Sequence, residues 1–196
     1  MRIGIFGGTF DPPHLGHLEV ALAAQRQLNL DEVVWIPAAK NPFKQSAIVT
    51  PGPKRLRMVQ AAVADTPGMS VSDIELTRGG LSYTIDTVLE LQMMQEGEYW
   101  IIVGSDSLEG ISNWKQVEKL AKLARFACIL RPPHTEEIAL RHVADYIPPV
   151  TDFVSMPPSR LSSTLVRDHA MRGLDIIDFV HPEVAKLIEE YGRYGR

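Results

Sequence analysis

Ile3-Gly4-Ile5-Phe6-Gly7-Gly8-Thr9-Phe10-Asp11-Pro12-Pro13-His14-Leu15-Gly16-His17 is the stretch from which the fold is read. The apolar run 3–6 predicts a strand, the paired glycines a tight turn, and the residues after Pro13 the first turn of a helix. Together they build an anion site from backbone. Gly7 and Gly8 carry no side chain, so their N–H groups can approach an anion closely. The first N–H groups of the helix have no intrahelical partner and carry the positive end of its dipole. His14 and His17, at i and i+3, share one face of that turn. Strand–glycine–helix turns recur in many α/β folds, so the histidine pair alone leaves structure and chemistry evenly matched. The glycines and Asp11 tilt the reading towards chemistry.

Outward from this stretch, strand-like and helix-like segments alternate. Strands are predicted over 2–6, 32–37, 69–72, 99–103, 126–130 and 151–154. Helices are predicted over 16–28, 53–64, 84–95, 114–123 and 136–146, followed by 163–172 and 182–191. Apolar residues at helical spacing, such as Leu18, Leu22 and Leu28, support the helices, and Pro182 suits a first helical position. The alternation predicts an α/β, Rossmann-like, doubly wound parallel sheet with C-terminal helices, in a single domain over 1–196. The Pro/Gly-rich stretch 38–53 is too long for a plain connection, and loops of that length are usually functional. In open α/β sheets ligands bind beyond the carboxyl ends of the strands. The glycine turn, this loop, Gly104-Ser105-Asp106 and the segment 157–163 all fall at such ends, so they converge on one cleft. The tail 191–196 reads as frayed and polar.

Composition excludes several classes. The chain has 196 residues, 45% hydrophobic and 22% charged, enough for a sizeable core. A net charge of −4 without a basic stripe argues against nucleic acid as a partner. The apolar runs are too short to span a bilayer, so no membrane is expected. Met1-Arg2 passes straight into a strand, which is no signal-peptide pattern. One cysteine, Cys128, rules out an internal disulfide framework and points to a reducing cytoplasm. A protein metal cage is not expected, because HxxH lacks a third ligand cluster and Cys128 sits in an apolar run. Neither GxGxxG nor GxxxxGK[ST] occurs, which argues against the dehydrogenase fingerprint and the P-loop.

A second anion site is readable in Leu161-Ser162-Ser163-Thr164-Leu165-Val166-Arg167. Ser162 or Ser163 can cap a helix whose N–H groups, hydroxyls and Arg167 face an anion. Taken alone, the same string is better read as a capped surface helix with a solvated arginine.

The string GGTFDPPHLGH closely resembles the first signature of the nucleotidylyltransferases, with its (T/H)xGH core at His14–His17. SSTLVR over 162–167 resembles their second, SSTxxR. Aminoacyl-tRNA synthetases share an HxGH, but no KMSKS-like motif is present here. Glu75, Arg78, Gly79 or Gly80, and Ser82 to Thr87 resemble the ExxRxGxSYTxDT-type segment of the bacterial nicotinate-nucleotide adenylyltransferases. Gly104-Ser105-Asp106-Ser107-Leu108 and Trp114-Lys115 resemble their (G/A)xDxL…WK element.

This resemblance implies transfer of the adenylyl group of ATP to nicotinate mononucleotide, giving deamido-NAD and pyrophosphate, with Mg²⁺ held largely by ATP phosphates and water. It assigns catalysis to His14, His17, Lys44 and Arg167. ATP would be bound by Gly7, Gly8, Thr9, Phe10, His14, His17, Gly104, Asp106, Arg131, Ser162, Ser163, Thr164 and Arg167. Nicotinate mononucleotide would be bound by Gly8, Lys40, Lys44, Tyr83, Thr84, Asp106 and Trp114. Among these, Trp114 would stack on the pyridine ring and Asp106 bond a ribose. Physical sense agrees, since a planar aromatic acid needs an aromatic platform and donors at a helix start. Phe43 stands where relatives carry the histidine of Pro-Pro-His-Lys. Asp11 is read as a brace of the turn. The alternatives are a phosphopantetheine adenylyltransferase, which would lack the Ser82–Thr87 and Trp114 features, and a non-catalytic nucleotide-binding module. A homo-oligomer is compatible with the sequence. His134, His142, His169 and His181 are expected on the exposed surface.

Overall fold

In a computed structural model the chain is described over residues 1–43, 50–108, 110–130, 135–137 and 151–194. Six parallel strands form one sheet: β1 (Arg2–Gly8), β2 (Glu32–Pro37), β3 (Met69–Val71), β4 (Glu98–Gly104), β5 (Arg125–Ile129) and β6 (Thr151–Val154). Their order is β3-β2-β1-β4-β5-β6, and every neighbouring pair is parallel. The chain thus winds outward from β1 to one edge, then returns to wind from β4 to the other. The crevice beside β1 and β4 is the topological switch point, where ligands of such sheets bind.

The central strands β1, β2, β4 and β5 are apolar through most of their length because helices cover both faces. Alternate residues feed two separate cores. Ile3, Ile5, Val34, Ile36, Ile101, Val103, Phe126 and Cys128 pack under α4 (Thr84–Met94) and α6 (Val117–Leu123). Phe6, Val33, Trp35, Trp100, Ile102, Ala127 and Ile129 pack on the opposite face. That face is covered by α1 (Leu15–Gln27), α2 (Gly52–Val63), α7 (Ser163–Met171) and α8 (Pro182–Glu190). Register places Ile5 beside Val34 on one side and Ile101 on the other, so a one-residue slip would exchange the two cores. Burial among these side chains pushes the Cys128 thiol up to about 12, which leaves it inert.

All six predicted strands are present, with ends shifted by at most two residues. Pro182 opens α8 as expected. Two short helices were not anticipated: α3 (Ile74–Arg78) and α5 (Ser105–Leu108) are too brief to show a periodic pattern. The helix expected from 114 begins instead at Val117. Trp114 is extended after a 3₁₀ turn over Ile111–Asn113, and Gln116 enters α6 with φ at 53°. Most of the helix expected over 136–146 lies outside the described residues.

The tail is not frayed over 191–194. Tyr191 receives Lys54 and Arg57 on its ring face, at 4.5 and 5.9 Å from the centroid. Tyr194 buries its phenol beside Met58 Sδ at 3.9 Å, and burial raises its pKa. His169 and His181 are half-buried rather than exposed. His169 packs edge-on against Phe179, and His181 Nδ1 accepts the Glu183 N–H at 3.3 Å to cap α8.

Candidate active site

Gly7 and Gly8 pair with Ile36 and Pro37 as the last residues of β1 rather than forming the turn themselves, and the glycine turn runs on from them over 9–14 to enter α1 at Leu15. Gly7 is open to solvent, and a Cβ placed on it would meet nothing within 4 Å. At Gly8 a Cβ would lie 2.9 Å from the Phe10 ring. Phe10 turns back into the core with φ at 49° and packs on Phe6, Trp35 and His17. Its side chain is therefore buried, and only its backbone is available to a ligand.

His14 and His17 stack with ring centroids 3.7 Å apart. The His14 backbone N–H donates to His17 Nδ1 at 3.1 Å. An accepting Nδ1 puts the His17 proton on Nε2. The i,i+3 spacing thus fixes a tautomer as well as a direction. Leu15 N–H donates to Phe179 O at 2.8 Å and His17 N–H to His14 O at 2.9 Å. Fewer helix N–H groups are therefore open at this turn than the sequence suggests.

Two hydrogen bonds fasten the second signature onto the first. Ser163 Oγ donates to Pro12 O at 2.9 Å, and Arg167 Nη1 donates to Asp11 O at 2.7 Å. Ser162 Oγ accepts the Leu165 N–H and caps α7, while Thr164 Oγ1 lies 3.2 Å from Arg167 Nη2. Of the two serines named as caps, Ser162 takes that role and Ser163 becomes the clasp. Asp11 does brace the turn: its Oδ2 accepts the Thr50 N–H at 3.1 Å.

Elsewhere an open depression is lined by Pro42, Phe43, Tyr83, Thr84, Trp114 and Lys115 among others. The Phe43 and Trp114 rings face each other at 6.5 Å with planes 22° apart. The Gly79-Gly80 pair, both with φ near 70°, turns the chain from α3 towards α4. Below the pocket, Thr87 Oγ1 donates to Glu75 Oε1 at 2.7 Å, and Arg78 reaches Thr87 Oγ1 and Glu90 Oε1, both at 2.9 Å. Glu75 is buried and thereby paired. Lys115 Nζ bonds both Asp86 oxygens, at 3.0 and 2.8 Å, and sits over the Tyr83 ring. Ser82 joins the pocket to β2: its N–H donates to Lys40 O and its Oγ accepts the Ala39 N–H, both at 2.9 Å.

The structure thus groups His14, His17, Ser163 and Arg167 at one position and Tyr83, Thr84 and Trp114 at another. Lys40 is exposed at the start of the loop that links them, and Gly104 and Asp106 lie at the carboxyl end of β4. Lys44, Arg131, His134 and His142 lie outside the described residues. Among the described residues no group of three His, Cys, Asp or Glu side chains could hold a metal ion, and no helix is long and apolar enough to cross a membrane. One buried residue escaped sequence reading: Arg55, whose guanidinium meets three backbone carbonyls around the glycine turn. Nothing in the run Lys54-Arg55-Leu56-Arg57 separates it from its solvated neighbours.

The cytidylyltransferase-like family profile matches residues 5–169. A probable nicotinate-nucleotide adenylyltransferase of Exiguobacterium sibiricum is 43% identical, covering 100% of both chains. Another, from Shouchella clausii, is 40% identical over 99% of this chain and 97% of its own. Among solved structures, Plasmodium falciparum nicotinic acid mononucleotide adenylyltransferase complexed with NaAD superimposes with a TM-score of 0.80. It is 21% identical and covers 98% of this chain and 97% of its own, a likeness of fold. With both signatures clasped at the switch point of the sheet, the chain belongs to the cytidylyltransferase-like family and, within it, to the nicotinate-nucleotide adenylyltransferases.

Proposed function

We propose the following route by which this chain, acting as one domain, transfers the adenylyl group of ATP to nicotinate mononucleotide. The acceptor phosphate is already ionised, so it needs no general base. One of its oxygens attacks the α-phosphorus of ATP in line. A new P–O bond forms as the bond to the β-phosphate oxygen breaks, and pyrophosphate leaves with the electron pair. The protein's work is positioning and charge stabilisation. His14 and His17 donate to phosphate oxygens, His17 through Nε2. The backbone of Gly7, Gly8, Thr9 and Phe10 lines the phosphates, with Ser162, Ser163 and Thr164 beside them. Lys44 and Arg167 neutralise phosphate charge, and Arg131 is assigned to ATP. Asp106, beyond Gly104, bonds a ribose. Trp114 stacks on the pyridine ring, the Tyr83-Thr84 helix start holds its carboxylate, and Lys40 flanks the acceptor. Mg²⁺, held mainly by the ATP phosphates and water, would offset phosphate charge. These substrates and the lone buried Cys128 suit a reducing cytoplasm.

The observation that supports this reading is the clasp: Ser163 on Pro12 O and Arg167 on Asp11 O bring the two signatures together. The test is pyrophosphate release with Mg–ATP and nicotinate mononucleotide, nicotinamide mononucleotide or phosphopantetheine in parallel. Fast release is expected with the nicotinate form and slow release with its amide. Release with phosphopantetheine alone would void the Tyr83, Thr84 and Trp114 assignments. ATP binding without release would make the chain a binding module.

A further inference from the structure

Arg55 is 1% exposed, and it stands on α2 beneath the site rather than in it. A buried guanidinium is costly unless its donors are satisfied. Here Nε donates to Thr50 O at 3.0 Å, Nη1 to Thr9 O at 2.7 Å and Nη2 to Ala38 O at 2.7 Å. The three carbonyls belong to three different pieces of the site. Thr9 lies in the glycine turn. Ala38 follows β2, where the long loop begins, and its own N–H donates to Gly8 O at 2.8 Å. Thr50 lies at the far end of that loop, and its N–H donates to Asp11. Asp11, 5% exposed, is the countercharge: burial lowers the Arg55 pKa and the Asp11 charge opposes that shift.

From this convergence we infer that Arg55 is a positioning residue for adenylyl transfer: its guanidinium fixes the glycine turn and both stems of the 38–50 loop as one rigid frame. It is too buried to touch substrate, so it acts through Thr9, Ala38 and Thr50. The planar fork is what the geometry uses. An ammonium at one point cannot serve three separated carbonyls. The inference rests on the reading of the glycine turn as the phosphate site.

The test uses Arg55→Lys and Arg55→Met in the full chain, with Val63→Ala as control. Val63 is buried on the same helix, so its truncation lowers Tm without touching the fork. Misplacement of reacting groups by about 1 Å can cost about 100-fold. Both Arg55 variants, assayed well below their Tm, are expected to lose about 100-fold in kcat, with the KM for nicotinate mononucleotide within roughly threefold of wild type. Val63→Ala should keep its kcat at a comparable drop in Tm. Arg55→Lys within threefold of wild-type kcat would overturn the inference. So would an equal kcat loss in Val63→Ala, or a failure of both Arg55 variants to fold, since Arg55 would then serve the fold alone. An inactive wild-type chain would instead sink the reading of the site itself.

Discussion

At the proposed phosphate end of the site the shape is held at backbone carbonyls; at the proposed acceptor end, above the buried Glu75–Thr87 pair, the pocket walls are side chains partly in water. Pro12 O, Asp11 O and Thr9 O each receive a donor from another element, and Asp11 and Arg55 are buried. Around Phe43 and Trp114 the walls are aromatic faces, and the Lys115–Asp86 pair that props them has side chains 38% and 31% exposed. The difference suits what each end is proposed to recognise. A phosphate in a transition state needs donors fixed in place before the reaction. A flat ring needs apolar area and stacking, which tolerate adjustment.

The largest effect is expected where the fixed donors are removed. His17→Ala deletes the Nε2 donor and leaves the His14 N–H without its acceptor. Losing one such donor typically costs about 100- to 1000-fold in rate. Steady-state kinetics on the folded variant should show that loss mainly in kcat, and a loss under threefold would remove His17 from the mechanism. At the acceptor end, Trp114→Ala should act on binding instead. A stacked pair contributes about 0.5–1.5 kcal/mol beyond its area, so the KM for nicotinate mononucleotide is expected to rise about tenfold while kcat changes little. A kcat loss as large as that of His17→Ala would erase the distinction between the two ends.

The amino edge of the sheet supplies the baseline for both. There Asp152 accepts from Arg125 Nε at 2.8 Å, from Arg125 Nη2 at 3.0 Å and from Trp100 Nε1 at 2.8 Å. The Arg125 hydrogen bonds, helped by Trp100, hold its carboxyl below the usual range against the opposing effect of burial. A lowered folded pKa means that the stabilisation is complete above about pH 4 and is lost as the pH falls through the folded value. The Tm gap between wild type and Asp152→Asn should thus be widest near neutral pH and shrink in acid, with activity within about twofold. A gap that stays constant from neutral pH into acid would show that the carboxylate charge contributes nothing.

Much of this was legible before any coordinates. Burial on both faces makes the central strands near-continuous apolar runs, which mark the sheet in the sequence. The two signatures were visible as strings because backbone phosphate sites require particular residue types at fixed spacing. Periodicity places Trp114 on a helix because it sees apolar spacing and not the strained entry at Gln116. The tail read as frayed because Tyr191 and Tyr194 find their partners on α2, more than a hundred residues earlier.

By itself, then, the sequence determined the parallel α/β order, the positions of the two signatures and the family they belong to, since these depend on local pattern. Tertiary structure alone decided that Phe179 O takes the Leu15 N–H, that Ser163 rather than Ser162 is the clasp, and that Arg55 is a buried hub. Each of these is a hydrogen bond between a side chain or N–H and a distant backbone carbonyl. Every residue type carries that carbonyl, so no letter of the sequence marks it.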